Sequence, residues 1–114
     1  MKIGISNDHS AVELKMAIMD YLSKKGYQMV NYGTDSTESY DYPIAGKRLA
    51  EAVRDKEVDC GIAICGTGIG IGIAANKVHG IRAALCHDMF SAEYCRRHND
   101  ANILTMGGLL LRPR

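Results

Sequence analysis

The sequence lacks an excess of charge of either sign. Its 14 lysine and arginine residues nearly balance 13 aspartate and glutamate residues, which gives a formal net charge of +1 at pH 7. A protein without a basic surface has no electrostatic attraction to nucleic acid or to a membrane. The start of the chain, MKIGISNDHS, lacks the apolar stretch of a signal peptide, and no run reaches transmembrane length. We therefore expect a cytoplasmic protein with neither nucleic acid nor membrane as partner.

The sequence also lacks any CxxC pair, although it contains four cysteines. Two of these cysteines share one predicted strand, so we expect reduced thiols rather than a disulfide framework. A metal site is a further alternative, since several cysteines and histidines could meet, but no pair has a recognised zinc spacing. The four cysteines are Cys60, Cys65, Cys86 and Cys95, and the residues that could meet at a metal are Cys65, Cys86, His87 and His98.

No repeat, linker or low-complexity tract interrupts the chain, and 114 residues suffice for one domain spanning 1–114. Short β-rich runs alternate with helical stretches along it. Strands are predicted at 2–6, 27–32, 58–65, 80–86 and 102–107. Helices are predicted at 10–26, from Pro43 to about Lys56, through Ala74 and Ala75, and at 88–99. This alternation predicts an α/β fold: a three-layer α/β/α sandwich with a five-stranded parallel sheet, Rossmann-like.

Helix boundaries carry local signals. Ser10 with Glu13 three residues later predicts a capping box, and Gly26 predicts the end of the same helix. Pro43 suits a first helical turn, and Asp88 is a plausible N-cap. The residues of the first helix expected to face the core are Leu14, Ala17, Ile18, Tyr21 and Leu22.

In a parallel sheet, ligands bind beyond the carboxyl ends of the strands. This rule groups four segments at one edge: NDHS after the first strand, CGTGIG after the third, CHD after the fourth, and the end of the helix at 88–99. His9 and His98 are expected to converge there as proton shuttles, with His87 as a weaker candidate. Each histidine has a purely structural alternative, as a loop residue or as a charge complementing a helix dipole.

The segment ICGTGIGIGIAANK, residues 64–77, places Cys65 before four alternating glycines. It follows the third strand and has no GxGxxG spacing or Gly-Lys-Ser/Thr sequence, which excludes a dinucleotide fingerprint and a Walker loop. The remaining functional interpretation is an anion cradle of backbone N–H groups, for a phosphate or a developing oxyanion. The alternative is a tight turn with an inert buried cysteine.

Four motifs together resemble the ribose-5-phosphate isomerase B family from residue 2 to about 107. They are DH after the first strand, DYP at 41–43, ICGTGIGIGIAANKVHGIRAA at 64–84 and RRHNDANIL at 96–104. The resemblance implies an aldose–ketose isomerase of the pentose phosphate pathway that acts through an enediolate and uses no metal or cofactor. Its substrate would be a phosphorylated sugar, most directly ribose 5-phosphate. Alternatives are a subunit of galactose-6-phosphate isomerase and a non-catalytic remnant that binds sugar phosphates.

The resemblance also implies roles for individual residues. Cys65 corresponds to the base that moves a proton between C1 and C2, and Thr67 and His98 to the groups that assist ring opening. The backbone N–H groups of the cradle correspond to the oxyanion hole, and three further residues to substrate contacts. The cradle residues are Gly66, Thr67, Gly68, Ile69 and Gly70, and the contacts are Asp8, His9 and Asn99.

A homodimer, or a dimer of dimers, with shared active sites is the implied assembly. His98 lies roughly 15 Å along a helix that begins at Asp88, at 1.5 Å per residue, so a partner subunit is better placed to present it. In the family, the histidine–asparagine pair comes from the neighbouring subunit.

The C-terminal residues depart from the family pattern. Leu109 stands where family members typically have an arginine, and the long final helix with its phosphate-binding arginines is not found before Arg114. Arg112 and Arg114 are the remaining candidates for a phosphate contact. We therefore expect weak binding of phosphate.

Overall fold

The computed structural model describes residues 1–111, so Arg112 and Arg114 lie outside the described residues. All the predicted strands and helices are found, with ends that differ by a few residues. The strands are β1 (Lys2–Asn7), β2 (Gln28–Asn31), β3 (Cys60–Cys65), β4 (Ala83–Leu85) and β5 (Ile103–Gly107). The helices are α1 (Val12–Lys24), α2 (Tyr42–Arg54), α3 (Ile69–Asn76) and α4 (Met89–Arg97), with a 3-10 turn, His9–Ala11, before α1.

The strands form one parallel sheet in the order β2-β1-β3-β5-β4. Asn7 of β1 pairs with Ile64, and Cys65 of β3 pairs with Gly107. This register brings the carboxyl ends of the three central strands side by side. The chain leaves β1 toward β2 and then returns across it to β3, which opens a crevice for a ligand at that edge.

Helices cover both faces of the sheet, which confirms the three-layer sandwich. Side chains alternate along β3: Ala63 packs in the cluster beneath α2 and α3, and Ile64 packs in the cluster beneath α1. Leu104 of β5 packs with residues of α4, whereas its neighbour Ile103 belongs to the α2/α3 cluster. Alternate residues point to opposite faces, so α4 shares a face with α1. Among residues 1–111, no helix combines the length and the hydropathy needed to cross a membrane.

Three of the local signals are confirmed. Gly26 follows α1 with a φ of 95°, and the Tyr27 N–H donates back to the Leu22 carbonyl at 3.2 Å. Pro43 lies in the first turn of α2. Asp88 caps α4, since its Oδ1 accepts from the Ser91 N–H at 2.7 Å.

The predicted capping box is wrong. Helix α1 begins at Val12 with Ala11 at its N-cap and no capping side chain. The 3-10 turn comes first and is capped by Asp8, whose carboxylate accepts from the Ser10 N–H. Ser10 therefore lies inside a turn that starts two residues earlier than the sequence pattern indicates.

The buried face of α1 is also rotated from the predicted one. Tyr21 is 60% exposed, while Leu14 and Ile18 pack against the sheet as expected. Lys15 is the only fully buried residue of this helix. Lys15 can be buried on this side because its Nζ has polar partners there, which are described below.

Candidate active site

Cys65 ends β3 at the carboxyl edge of the sheet. Its side chain is buried, with 4% exposure. The Sγ accepts a hydrogen bond from the Gly68 N–H at 3.1 Å. The thiol therefore faces the backbone that follows the strand, in the arrangement that the glycine segment predicts.

The backbone after Cys65 forms the cradle. Gly68 caps α3 with φ 79° and ψ −9°, a left-handed conformation that glycine adopts without strain. Thr67 Oγ1 accepts from the Ile69 N–H at 3.2 Å. Because the first N–H groups of a helix have no partner within it and lie at the positive end of its dipole, this turn can hold negative charge beside the sulfur.

Asp8 and Ser10 line the adjacent end of β1. The Asp8 N–H donates to the Ile64 carbonyl at 3.1 Å. The Asp8 Oδ1 accepts from both the N–H and the hydroxyl of Ser10, at 3.0 and 2.6 Å. Ser10 Oγ in turn lies against Gly66, so the turn that carries His9 borders the cradle directly.

The segment after β5 closes over the same edge. The Gly108 N–H donates to the Cys65 carbonyl at 2.8 Å, and the Leu109 N–H donates to the Gly66 carbonyl at 3.0 Å. The Leu109 side chain packs against Gly66 and remains 57% exposed. An apolar side chain therefore occupies the position beside the cradle where the family resemblance implies a cation.

His87 lies near the cradle, but one of its ring nitrogens is already engaged. The Gly107 N–H donates to His87 Nε2 at 2.9 Å, and Gly107 is the register partner of Cys65. Proton transfer through that nitrogen requires breaking a backbone hydrogen bond. The geometry favours a supporting role for His87 over a direct one.

Tyr42, the tyrosine of the DYP motif, is a further candidate site residue, which its sequence context alone does not single out. Its ring packs against Gly70 in the first turn of α3 and is 43% exposed. A groove of about 330 Å³ starts at these two residues and runs between α2 and α3, past Lys47 and Lys77. The signal that could have located Tyr42 is its position at the start of a helix after a strand crossover.

The expectation that His98 lies at the same edge of the sheet as Cys65 is wrong within one chain. His98 caps the C-terminal end of α4. The carbonyl of Asn102, which follows shortly after His98 in the chain, accepts a hydrogen bond from the Gly61 N–H near the start of β3. The length of β3 separates that edge from Cys65 by about 16 Å, at about 3.3 Å per residue, because α4 runs antiparallel to the strands.

His98 and Asn99 are presented at the surface on a well-held turn. Both are exposed, and the His98 ring lies 4.6 Å from the Tyr94 ring, centroid to centroid. The Arg82 Nε donates to the Asp100 carbonyl at 2.7 Å, which fixes the turn behind the pair. This surface position is compatible with a role at another subunit.

No cluster of three histidine, cysteine, aspartate or glutamate side chains within residues 1–111 could hold a metal ion. All four cysteines are free thiols. Cys95 of α4 packs with Cys86, and burial is the main cause that raises the pKa of the Cys95 thiol. Cys60 lies near the opposite edge, and there too burial is the main cause that raises the thiol pKa.

The chain resembles known sugar-phosphate isomerases over nearly its whole length. The family model described as Ribose/Galactose Isomerase matches residues 3–114. Ribose-5-P isomerase B of Listeria innocua is 45% identical over 99% of this chain and 76% of its own length. Galactose-6-phosphate isomerase subunit LacB of Clostridium acetobutylicum is 44% identical over 95% of this chain and 62% of its own length.

Solved structures give the same result. The ribose-5-phosphate isomerase B of Clostridium thermocellum superposes with a TM-score of 0.96 at 54% identity, over 97% of this chain and 75% of that one. Both the sequence and the fold are thus those of one family. The chain belongs to the ribose/galactose isomerase family and is a sugar-phosphate isomerase.

Proposed function

We propose that this chain interconverts ribose 5-phosphate and ribulose 5-phosphate, a step of the pentose phosphate pathway, through an enediolate with Cys65 as the base. The observation that carries the proposal is the hydrogen bond from the Gly68 N–H to Cys65 Sγ, 3.1 Å long. It joins a proton acceptor to the backbone donors that hold negative charge. Both are required when a proton is taken from the carbon next to a carbonyl group.

The reaction balances without any co-reactant. The Cys65 thiolate removes the proton from C2 of the open-chain aldose, and the charge that develops on O1 of the enediolate is held by cradle N–H groups. The resulting thiol returns the proton to C1, and the proton lost by the O2 hydroxyl is gained by O1. The product is the ketose, and the thiolate is regenerated.

Ring opening precedes this step and is assigned to Thr67 and His98. His98 donates a proton to the ring oxygen, and Asp8, His9 and Asn99 contact the sugar phosphate. Since His98 and Asn99 lie at the opposite edge of the sheet from Cys65 in their own chain, we assign them to the site of a partner subunit. The proposed assembly is a homodimer, alone or paired into a dimer of dimers, with two shared sites in each dimer.

A second candidate substrate is galactose 6-phosphate, because a relative that is 44% identical is a subunit of the isomerase for that sugar. A panel of phosphorylated pentoses and hexoses, incubated in deuterated water and followed by NMR, tests both. We expect solvent deuterium at C1 or C2 of ribose and ribulose 5-phosphate. Exchange with hexose phosphates alone would favour the second candidate. Binding without any exchange would indicate a non-catalytic protein and would contradict the proposal.

A further inference from the structure

The end of β1 is unusually polar for the interior of a sheet. Ser6, Asn7 and Lys15 are all 0% exposed, and Asp8 is 7% exposed. Burying such groups is costly unless each finds a hydrogen-bond partner. Ser6 donates to the Ala45 carbonyl at 2.9 Å. Lys15 and Asn7 both donate to one loop, residues 33–41, which we call the strap. Asn7 Oδ1 has no hydrogen-bond partner among the described residues.

Lys15 holds the first part of the strap from α1. Its Nζ donates to the Thr34 carbonyl at 2.8 Å and forms an ion pair with Asp35. The Asn31 Nδ2 also donates to the Asp35 carboxylate, at 2.9 Å. A fully buried ammonium is retained only where such partners replace its water, so the position of the strap and the burial of Lys15 depend on each other.

Asn7 holds the same point from β1. Its Nδ2 donates to the Thr34 carbonyl at 3.0 Å and to the Asp8 carbonyl at 2.9 Å. Gly33 packs so closely that a Cβ built there would overlap the Asn7 Oδ1. Residues of α1 and β1 thus both hold the strap, through hydrogen bonds to Thr34 and close packing at Gly33.

The far end of the strap reaches His9. The Tyr40 N–H donates to His9 Nδ1 at 3.0 Å, and Arg48 donates to the Tyr40 hydroxyl at 3.0 Å. The Tyr40 carbonyl is farther from the same ring nitrogen, at 3.3 Å. A nitrogen that accepts a hydrogen bond carries no hydrogen, so the neutral ring carries its hydrogen on Nε2. Within the described part of the chain, Nε2 has no hydrogen-bond partner.

We infer that Lys15 is a positioning residue: by fixing the strap, it holds His9 as the Nε2–H tautomer and keeps that N–H available to donate to an oxygen of the sugar phosphate. The inference deepens the proposed function, since it rests on His9 as a substrate contact. Lys15 belongs to α1, and its Nζ is surrounded by Asn31 of β2 and by the strap. It acts only through His9. The strap thereby connects the buried ammonium of Lys15 to the Nε2–H group of His9 at the rim of the site.

The test measures the His9 tautomer directly, by ¹⁵N NMR of histidine-labelled protein at about pH 8, where histidine is ordinarily neutral. A His9→Gln variant identifies the His9 signals among those of the four histidines. We expect a protonated Nε2 and an unprotonated Nδ1 in the wild type. In Lys15→Met we expect a mixture of tautomers and a KM that rises about tenfold with a smaller change in kcat, as for one lost charge-assisted hydrogen bond.

Lys24→Met is the matched control. Lys24 lies on the same helix in an exposed ion pair with Asp20, so its loss should change neither the tautomer nor KM.

A second pair of variants acts at the other end of the strap. Tyr40→Pro removes the N–H that holds His9, while Tyr40→Phe keeps this N–H and loses only the bond to Arg48. We expect the mixture of tautomers in the first and a single tautomer in the second.

A wild-type His9 with its hydrogen on Nδ1 would overturn the inference. So would a Lys15→Met protein that keeps the single tautomer and the wild-type KM. If Lys15→Met does not fold, Asp35→Asn replaces it, because Asp35 is exposed and its loss weakens the same anchor; an unchanged tautomer there would also overturn the inference. A tautomer change in a protein that isomerises no sugar phosphate would contradict the proposed function and leave the role of Lys15 intact.

Discussion

At the residue scale, the proposed chemistry depends on Cys65, which is buried and hydrogen-bonded to the cradle. Cys65→Ala should lower turnover by about 100- to 10,000-fold, the usual contribution of a general base. Iodoacetate should inactivate the wild type by alkylating Cys65, and substrate should protect it. Mass spectrometry of the alkylated peptide and circular dichroism of the variant separate loss of the base from loss of the fold.

Cys60→Ala serves as the control for this experiment. Cys60 lies at the start of β3, five residues from Cys65 and at the opposite edge. Its removal should leave both turnover and inactivation by iodoacetate unchanged. Normal turnover in Cys65→Ala would remove Cys65 from the mechanism.

A second prediction at this scale concerns position 109, where the chain has leucine instead of an arginine. Leu109 packs against Gly66 and is mostly exposed, so Leu109→Arg can bring a guanidinium to the rim of the cradle. Charge-assisted bonds to phosphate are strong, and KM for the sugar phosphate should fall about tenfold with little change in kcat. Leu110→Arg adds the same charge at the neighbouring, 64% exposed position and should have a much smaller effect. Equal effects of both variants would show a general response to charge instead of a specific contact.

At the element scale, the start of α4 depends on Asp88. Hydrogen bonds from Ser91 are the main cause that holds the pKa of Asp88 below its usual range. A carboxyl group with a lowered folded-state pKa stabilises the protein above the unfolded-state pKa, about 3.9, and loses this effect as pH falls through the folded-state value. Asp88→Ala should therefore lower the melting temperature at pH 7, with a difference from wild type that shrinks below about pH 4.

Asp88→Asn separates capping from charge in the same measurement. Asparagine caps a helix about as well as aspartate does but does not titrate. This variant should stay close to wild type at pH 7 and show less loss of stability on acidification. If its melting temperature falls as far as that of Asp88→Ala at pH 7, the cap acts mainly through its charge.

The elements themselves could be predicted because their signals are local. Pro43, Gly26 and Asp88 mark ends where the chemistry of a few residues decides the outcome. The placement of β5 between β3 and β4 is not encoded in such signals, since it depends on crossovers of many residues. The predicted capping box was wrong because the sequence offers two possible capping residues, Asp8 and Ser10. In the structure Asp8 is the cap, and its carboxylate accepts from the Ser10 N–H.

The contact between Cys65 and Gly68 was predictable, because a strand and the loop directly after it supply both residues. Contacts were not predictable where partners come from distant segments. Lys15 lies in a helical pattern that gives no reason to bury a lysine, and its partners in the strap are about twenty residues away along the chain. The pairing of Tyr40 with His9 likewise joins segments 31 residues apart.

At the scale of the whole molecule, the two halves of the proposed site lie at opposite edges of the sheet. Cys65→Ala and His98→Ala should each keep at most about a hundredth of wild-type turnover. When they are unfolded together and refolded as a mixture, half the dimers are hybrids with one intact site, and roughly a quarter of wild-type activity should return. Steady-state turnover of the mixture, with hybrids verified by native mass spectrometry, is the measurement.

A mixture of Cys65→Ala with Asp8→Ala is the matched control for the shared site. Both residues lie at the carboxyl edge of the same chain, so hybrids of these variants keep a defect in every site and should stay inactive. An inactive mixture of Cys65→Ala and His98→Ala that is proven to contain hybrids would contradict the two-subunit arrangement.

The cradle beside Cys65 is built from main-chain N–H groups, which every amino acid except proline provides. A change of side chain therefore does not delete these donors, provided that Gly68 keeps its left-handed conformation. The surrounding side chains, Tyr42, His9 and Leu109, have no such protection from mutation. Mutations at the rim of the site can therefore change which sugar is bound while the main-chain donors stay in place. A family that includes both ribose and galactose isomerases is consistent with this difference between main chain and side chains.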